Sequence, residues 1–175
     1  MRPLLRLVDG LSTACAWIAS ALALVLIAVT LFEVFMRYVA GTPTIWVFDV
    51  AYMVSGASVL LAGGHTLRTE GHVRIDFVSS RFPPRVQALV QAAFFGLVIL
   101  PALYFITAAS WRKAWAAFLR GEVEAVSPWA PVIWPFYTAL TVGLVVLSLQ
   151  VVAQMVRLLA QAISPADTPR PNGAH

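Results

Sequence analysis

Cysteine is almost missing from this chain. Cys15 is the single one, so no internal disulfide can form and no cysteine-based metal site can be assembled. Charge is scarce too. Asp, Glu, Lys and Arg make up 11% of the 175 residues, against about 25% in an ordinary soluble domain. No glycine-rich phosphate loop, metal-ligand spacing or nucleophile with a neighbouring base occurs, so no enzyme activity, catalytic residue, cofactor or metal is expected. Basic and aromatic residues are not interleaved on a polar surface, which excludes nucleic acid as a partner. No internal repeat of the kind that builds many carriers is visible, which argues against a complete transporter.

What fills the chain is apolar and aromatic residues, 60% of the total. One aqueous core of this size cannot hide that much apolar surface; lipid is the solvent that fits. Uncharged runs cover residues 11–32, 50–67, 86–111 and 125–156. Each approaches or exceeds the roughly 18 to 20 residues that cross a bilayer. Backbone groups in hydrocarbon must bond within their own segment, so these runs read as four membrane-spanning helices. The roughly 10-residue alternating segments of a membrane β-barrel are absent. The first run is longer than the roughly 7 to 15 residues of a signal-peptide core and is read as an uncleaved anchor.

Arginine and lysine give the orientation. Arg2, Arg6, Arg68, Arg74, Arg81, Arg85, Arg157 and Arg170 fall on one side, eight of the twelve basic residues. Arg37, Arg112, Lys113 and Arg120 fall on the other. The bias places both termini in the cytoplasm. Trp46, Trp111, Trp115, Trp129 and Trp134 would form an aromatic belt at the outer surface, with Trp17 near the inner one.

The expected fold is all-α: a membrane domain over residues 1–163 with helices at about 11–38, 44–69, 84–118 and 129–159. Gly41 and Pro43 stop the first helix, and Thr42 before Pro43 reads as the N-cap of the second. A short amphipathic helix over about 73–82, with Ile75, Val78 and Phe82 at helical spacing, is expected to lie at the cytoplasmic surface. Pro101 should kink the third helix. The tail at 164–175, rich in proline and small polar residues, is expected to be disordered. Helix 2 carries Ala51, Ser55, Ser58 and Ala62 on one face and Gly56 and Gly63 on a second strip. Such faces allow close helix approach, either within this chain or against another membrane protein.

Charges inside a membrane cost roughly 2.5 to 3.5 kcal/mol at its centre, so the few near the spans are the candidate site. Glu33 and Arg37 are four apart on helix 1 and can pair. Asp49 lies in an early turn of helix 2, near a positive helix end, and the short turn brings it to the same outer rim with Trp46. The rim is either a clasp that fixes the hairpin or a polar face for a partner. His65 is the one ionisable group well inside a helix, and a hydrogen-bonded packing role is expected for it. Haem would need a second histidine at matching depth, and His72 and His175 both lie beyond the spans. His72 and Asp76, four apart, can pair or cap helix 2.

The stretches RYVAGTPTIW, LRTEGHVRIDF and GEVEAVSPWAPVIWPFYTALTVG, in that order, resemble the small membrane subunit of tripartite ATP-independent periplasmic (TRAP) transporters, the DctQ-like family. The matching positions are Arg37, Tyr38, Trp46, Asp49, Gly71, His72, Val73, Ile75, Asp76, Trp134 and Pro135, and the resemblance spans about residues 10–160. One departure is Phe48, where the family commonly has the first of two acidic residues. The resemblance implies a non-catalytic subunit of a bacterial inner-membrane transporter. Its partners would be a large membrane permease subunit, which holds the solute and sodium sites, a periplasmic substrate-binding protein, and the lipid bilayer. The cargo would be an organic acid such as a C4-dicarboxylate. From their positions, structural or partner-interface roles are expected for Glu33, Arg37, Tyr38, Trp46, Asp49, Arg68, His72 and Asp76. The alternative is a self-contained four-helix proton-coupled exporter using Glu33.

Overall fold

The computed structural model describes residues 2–69 and 84–163. Four helices in it are long and apolar enough to cross a membrane, and the described chain is otherwise turns and loops with one isolated β-bridge. Helix α1 is Arg2–Tyr38, α2 is Val47–Thr69, and α4 is Trp134–Ile163. Helix α3 consists of Pro84–Phe94, a π-helical segment Phe95–Ile99, and Leu100–Arg120. The expected interfacial helix at 73–82, with His72 and Asp76, and the tail at 164–175 lie outside the described residues.

Three of the four helix starts depart from the sequence reading, each for a local reason. The first helix begins at Arg2 rather than near residue 11. Nothing in LLRLV breaks a helix, and Gly10 sits inside one at only a propensity cost of about 1 kcal/mol. At its other end the last turn opens out. Ala40 N donates to Phe35 O and Thr42 N to Met36 O, while Gly41 takes φ +67°, a conformation open to glycine at little cost. Helix α2 begins at Val47, not at residue 44. Thr42 is therefore not its N-cap and Pro43 is not in its first turn. Residues 43–46 instead form a connector held by the Glu33 carboxylate, which accepts from Thr44 N and from the Thr44 hydroxyl.

Pro101 was expected to kink α3, and the response observed is the π-helical turn just before it. Proline cannot donate to the carbonyl one turn back. Leu100 N bonds Phe95 O, one residue further than α-helical spacing, which is how a helix absorbs such a break. The C-terminus of α3 is a Schellman motif. Gly121 has φ +60°, its N–H reaches Phe118 O, and Glu122 N donates to Ala117 O.

Helix α4 begins at Trp134, five residues after the expected 129. Residues 121–133 are taken up by a small hairpin. Val123 and Val132 form an antiparallel bridge, Glu124 N donates to Pro131 O, and Ile133 N donates to Glu122 O. Pro135 then sits in the first turn of α4, where its missing N–H costs nothing.

Packing centres on α4, which contacts each of the other three helices. Helix α1 lies against α2 and α4, and α3 lies against α4. Val146 joins Cys15, Ala19 and Leu61 in one cluster; Leu144 and Val151 join Leu103 in another; Leu158 joins Ala88 and Ala92 in a third. At Gly143 a Cβ atom would stand 2.8 Å from Leu60 C and 3.0 Å from Leu60 O, so α2 and α4 meet backbone to backbone. Gly56 and Gly63 face α4 through Phe136 and Leu147, and Ala62 packs on the α1 cluster. These small residues pack inside the bundle. Ser55 is exposed.

Candidate functional site

Among the described residues, ionic groups gather at the two ends of the bundle and leave its apolar length between them uncharged. At the end bearing the short connector, Arg37 donates to Glu33 Oε1 from Nε at 3.1 Å and from a terminal nitrogen at 2.6 Å. The second Glu33 oxygen takes Thr44. One carboxylate thus ties the end of α1 to the connector. Trp46 stacks on Phe32 with ring centroids 6.0 Å apart, and Tyr38 stands exposed.

Asp49 does not join this cluster. It is 7% exposed and accepts a hydrogen bond from the Ser127 hydroxyl of the 121–133 hairpin. The Ser127 oxygen in turn accepts from Trp129 N at 3.1 Å. The rim foreseen from the sequence is therefore two separate links: Glu33 and Arg37 to the α1–α2 connector, Asp49 to the α3–α4 hairpin. A groove of about 410 Å³ lies at the second link, lined by Asp49 and Ser127 with Phe48, Tyr52, Glu124 and Val126. Glu122 at the hairpin base draws Lys113 to 3.4 Å and Arg120 to 3.5 Å.

The opposite end holds the polar cluster that the sequence reading missed. Asp9 of α1 accepts from Arg157 of α4 through both oxygens at 2.7 Å. Gln150 Nε2 donates to Asp9 Oδ1 at 3.3 Å. Arg68 of α2 approaches the same oxygen at 3.7 Å and donates to the Thr13 hydroxyl at 3.0 Å. Three helices are therefore locked around one carboxylate, and the contact shows that the start of α1 and the end of α4 share an end. Gln150 and Ser12 are fully buried, and Gln150 Oε1 and Ser12 Oγ have no partner among the described residues. Arg68 was singled out from the sequence; Asp9 was not, because the first helix was expected to start near residue 11 and it starts at Arg2. The available signal was a lone acid one turn before Ser12 and Thr13, matched by lone polar residues at Gln150 and Arg157.

The hydrogen bond expected of His65 is not made by its Nδ1, which is buried with no hydrogen-bond partner among the described residues. His72 and Asp76 fall outside those residues. No three His, Cys, Asp or Glu side chains gather to hold a metal ion among the described residues. What the arrangement provides is mechanical: ion pairs and hydrogen bonds that fasten helices at the boundaries, where a charge costs less than at mid-depth. The charged groups of each described span sit near its ends, so the span interiors offer no chain of charged groups for an ion relay.

The family described as tripartite ATP-independent periplasmic transporters, DctQ component, matches residues 26–161. No curated protein and no solved structure matches the chain.

Proposed function

The chain belongs to the DctQ component family of tripartite ATP-independent periplasmic transporters, and from that premise we propose that it scaffolds and anchors a large permease subunit in a bacterial inner membrane. Membership makes it the small membrane component of such a transporter, a multi-pass protein. The scaffold reading rests on one observation above all: a helical bundle fastened by polar contacts at both ends, with no charged group in the interior of its described spans. Solute and coupling ions then belong to the partner subunit, and a periplasmic binding protein delivers an organic acid, such as a C4-dicarboxylate, to the outer face. Both termini lie in the cytoplasm on this reading, a placement supported by Arg6, Arg68 and Arg157 at the termini end.

Within that scaffold the two polar ends have distinct work. The Glu33–Thr44 and Asp49–Ser127 links hold the connector and the hairpin in fixed positions at the outer boundary. Fixed loops reduce the ordering cost of docking a partner. The exporter alternative gains nothing from the geometry, because Glu33 is already held by Arg37 and Thr44 at a helix end.

Affinity purification of the tagged full chain from its native membrane tests the proposal. The expected result is a large multi-spanning permease recovered in near-equal amount. Recovery of this chain alone, as a homodimer, contradicts it.

A further inference from the structure

We propose that Arg68 and Arg157, with Arg6 three residues before their shared partner Asp9, form a binding site for the phosphate of an anionic glycerophospholipid at the termini end of the bundle. The charges there are unequal. Among the described residues Arg68 and Arg157 converge on a single carboxylate, Asp9, with Arg6 one turn before it on α1, and that carboxylate is already engaged. Arg157 holds both of its oxygens at 2.7 Å, and Gln150 adds a third donor. Arg68 stands further off, at 3.7 Å. One of its terminal nitrogens is taken by Thr13 Oγ1 at 3.0 Å and Asp9 O at 3.4 Å; the other has no hydrogen-bond partner among the described residues. The Arg68 and Arg157 side chains are 38% and 29% exposed. A guanidinium with one edge pinned and the other open presents a rigid pair of donors, the geometry that suits a phosphate oxyanion.

The surroundings select a lipid over a free ion. Arg68 is in the last turn of α2, and Arg6 is exposed one turn before Asp9 on α1. Trp17, one turn further into the span from Thr13, is 75% exposed. Arginine donors at the end of a bare apolar span match a headgroup continued by acyl chains, and basic pockets between helices at the membrane boundary attract anionic lipids. Asp9 and Thr13 fix the Arg68 side chain beforehand, which lowers the ordering cost of binding.

The full chain, purified in a neutral detergent, is titrated separately with phosphatidylglycerol, with phosphatidylcholine and with inorganic phosphate. Bound lipid is counted by native mass spectrometry and unfolding is followed by heat. The expected result is selective retention of phosphatidylglycerol with a raised melting temperature, and no response to inorganic phosphate. Arg68→Gln leaves the Asp9–Arg157 pair in place and should weaken phosphatidylglycerol retention roughly fivefold. Arg120→Gln at the opposite end should leave it unchanged. Equal retention of the two lipids overturns the proposal, as does an equal response to inorganic phosphate, an unaffected Arg68→Gln variant, or an equal loss in Arg120→Gln.

Discussion

Gly143→Leu is expected to prevent α2 and α4 from docking and to leave the protein unfolded or degraded in the membrane. The first added atom would stand 2.8 to 3.0 Å from the backbone and Cβ of Leu60. Backbone cannot turn aside as a flexible side chain can, so the two helices must separate. Overpacking of a well-filled core costs about 1 to 3 kcal/mol, and a leucine here exceeds the upper end of that range. Gly143→Ala is gentler. It gains about 1 kcal/mol of helix propensity and should still lose net stability, because the same contacts are violated. Gly10→Ala is the matched control: nothing lies within 4 Å of its added atom, so propensity alone acts and stability rises slightly. Unfolding in mixed micelles of increasing SDS checks all three. A Gly143→Ala variant as stable as Gly10→Ala would refute the backbone-to-backbone contact.

Asp9→Ala should lower stability by about 2 kcal/mol. Removing one partner of a buried ion pair costs roughly 3 to 5 kcal/mol, because the surviving charge is left without compensation; partial exposure of Arg157 reduces that figure here. The loss comes mainly from the abandoned arginine rather than from the missing contact. Asp9→Leu combined with Arg157→Met should therefore be more stable than Asp9→Ala alone, although it removes more polar groups. The same SDS titration measures the difference. If the double variant is the worse of the two, the cluster stabilises through its attraction and not by satisfying an otherwise stranded charge.

The layout of the fold was legible because hydrocarbon is an exacting solvent. Long uncharged runs have one stable form there, so four spanning helices followed from composition and run length. The ends were less legible, since they depend on contacts between residues far apart. Thr42 followed by Pro43 has the chemistry of a helix start, yet the Glu33 carboxylate eleven residues before Thr44 captures that residue's N–H and hydroxyl and delays the helix to Val47. Trp129 looked like the opening of α4, but the Asp49–Ser127 bond spans 78 positions and draws that segment into a hairpin.

The candidate site divides in the same way. The Glu33–Arg37 pair is local, four residues apart on one helix face, and spacing alone predicts it. Asp9 meets Arg157 across 148 positions, and no periodicity announces such a pair. Both are isolated charges beside apolar runs, and the cost of leaving either unpaired is the physical reason they meet. His65 sits deep enough to look significant, yet the described structure gives its Nδ1 no partner.

Solute flux through the purified chain, reconstituted by itself into sealed liposomes, tests the scaffold reading most directly. With a sodium gradient imposed and radiolabelled C4-dicarboxylate outside, uptake should match that of protein-free vesicles, and proton-driven efflux of cationic dyes should be equally absent. Saturable movement of any of these solutes through this chain alone would contradict a purely supporting role.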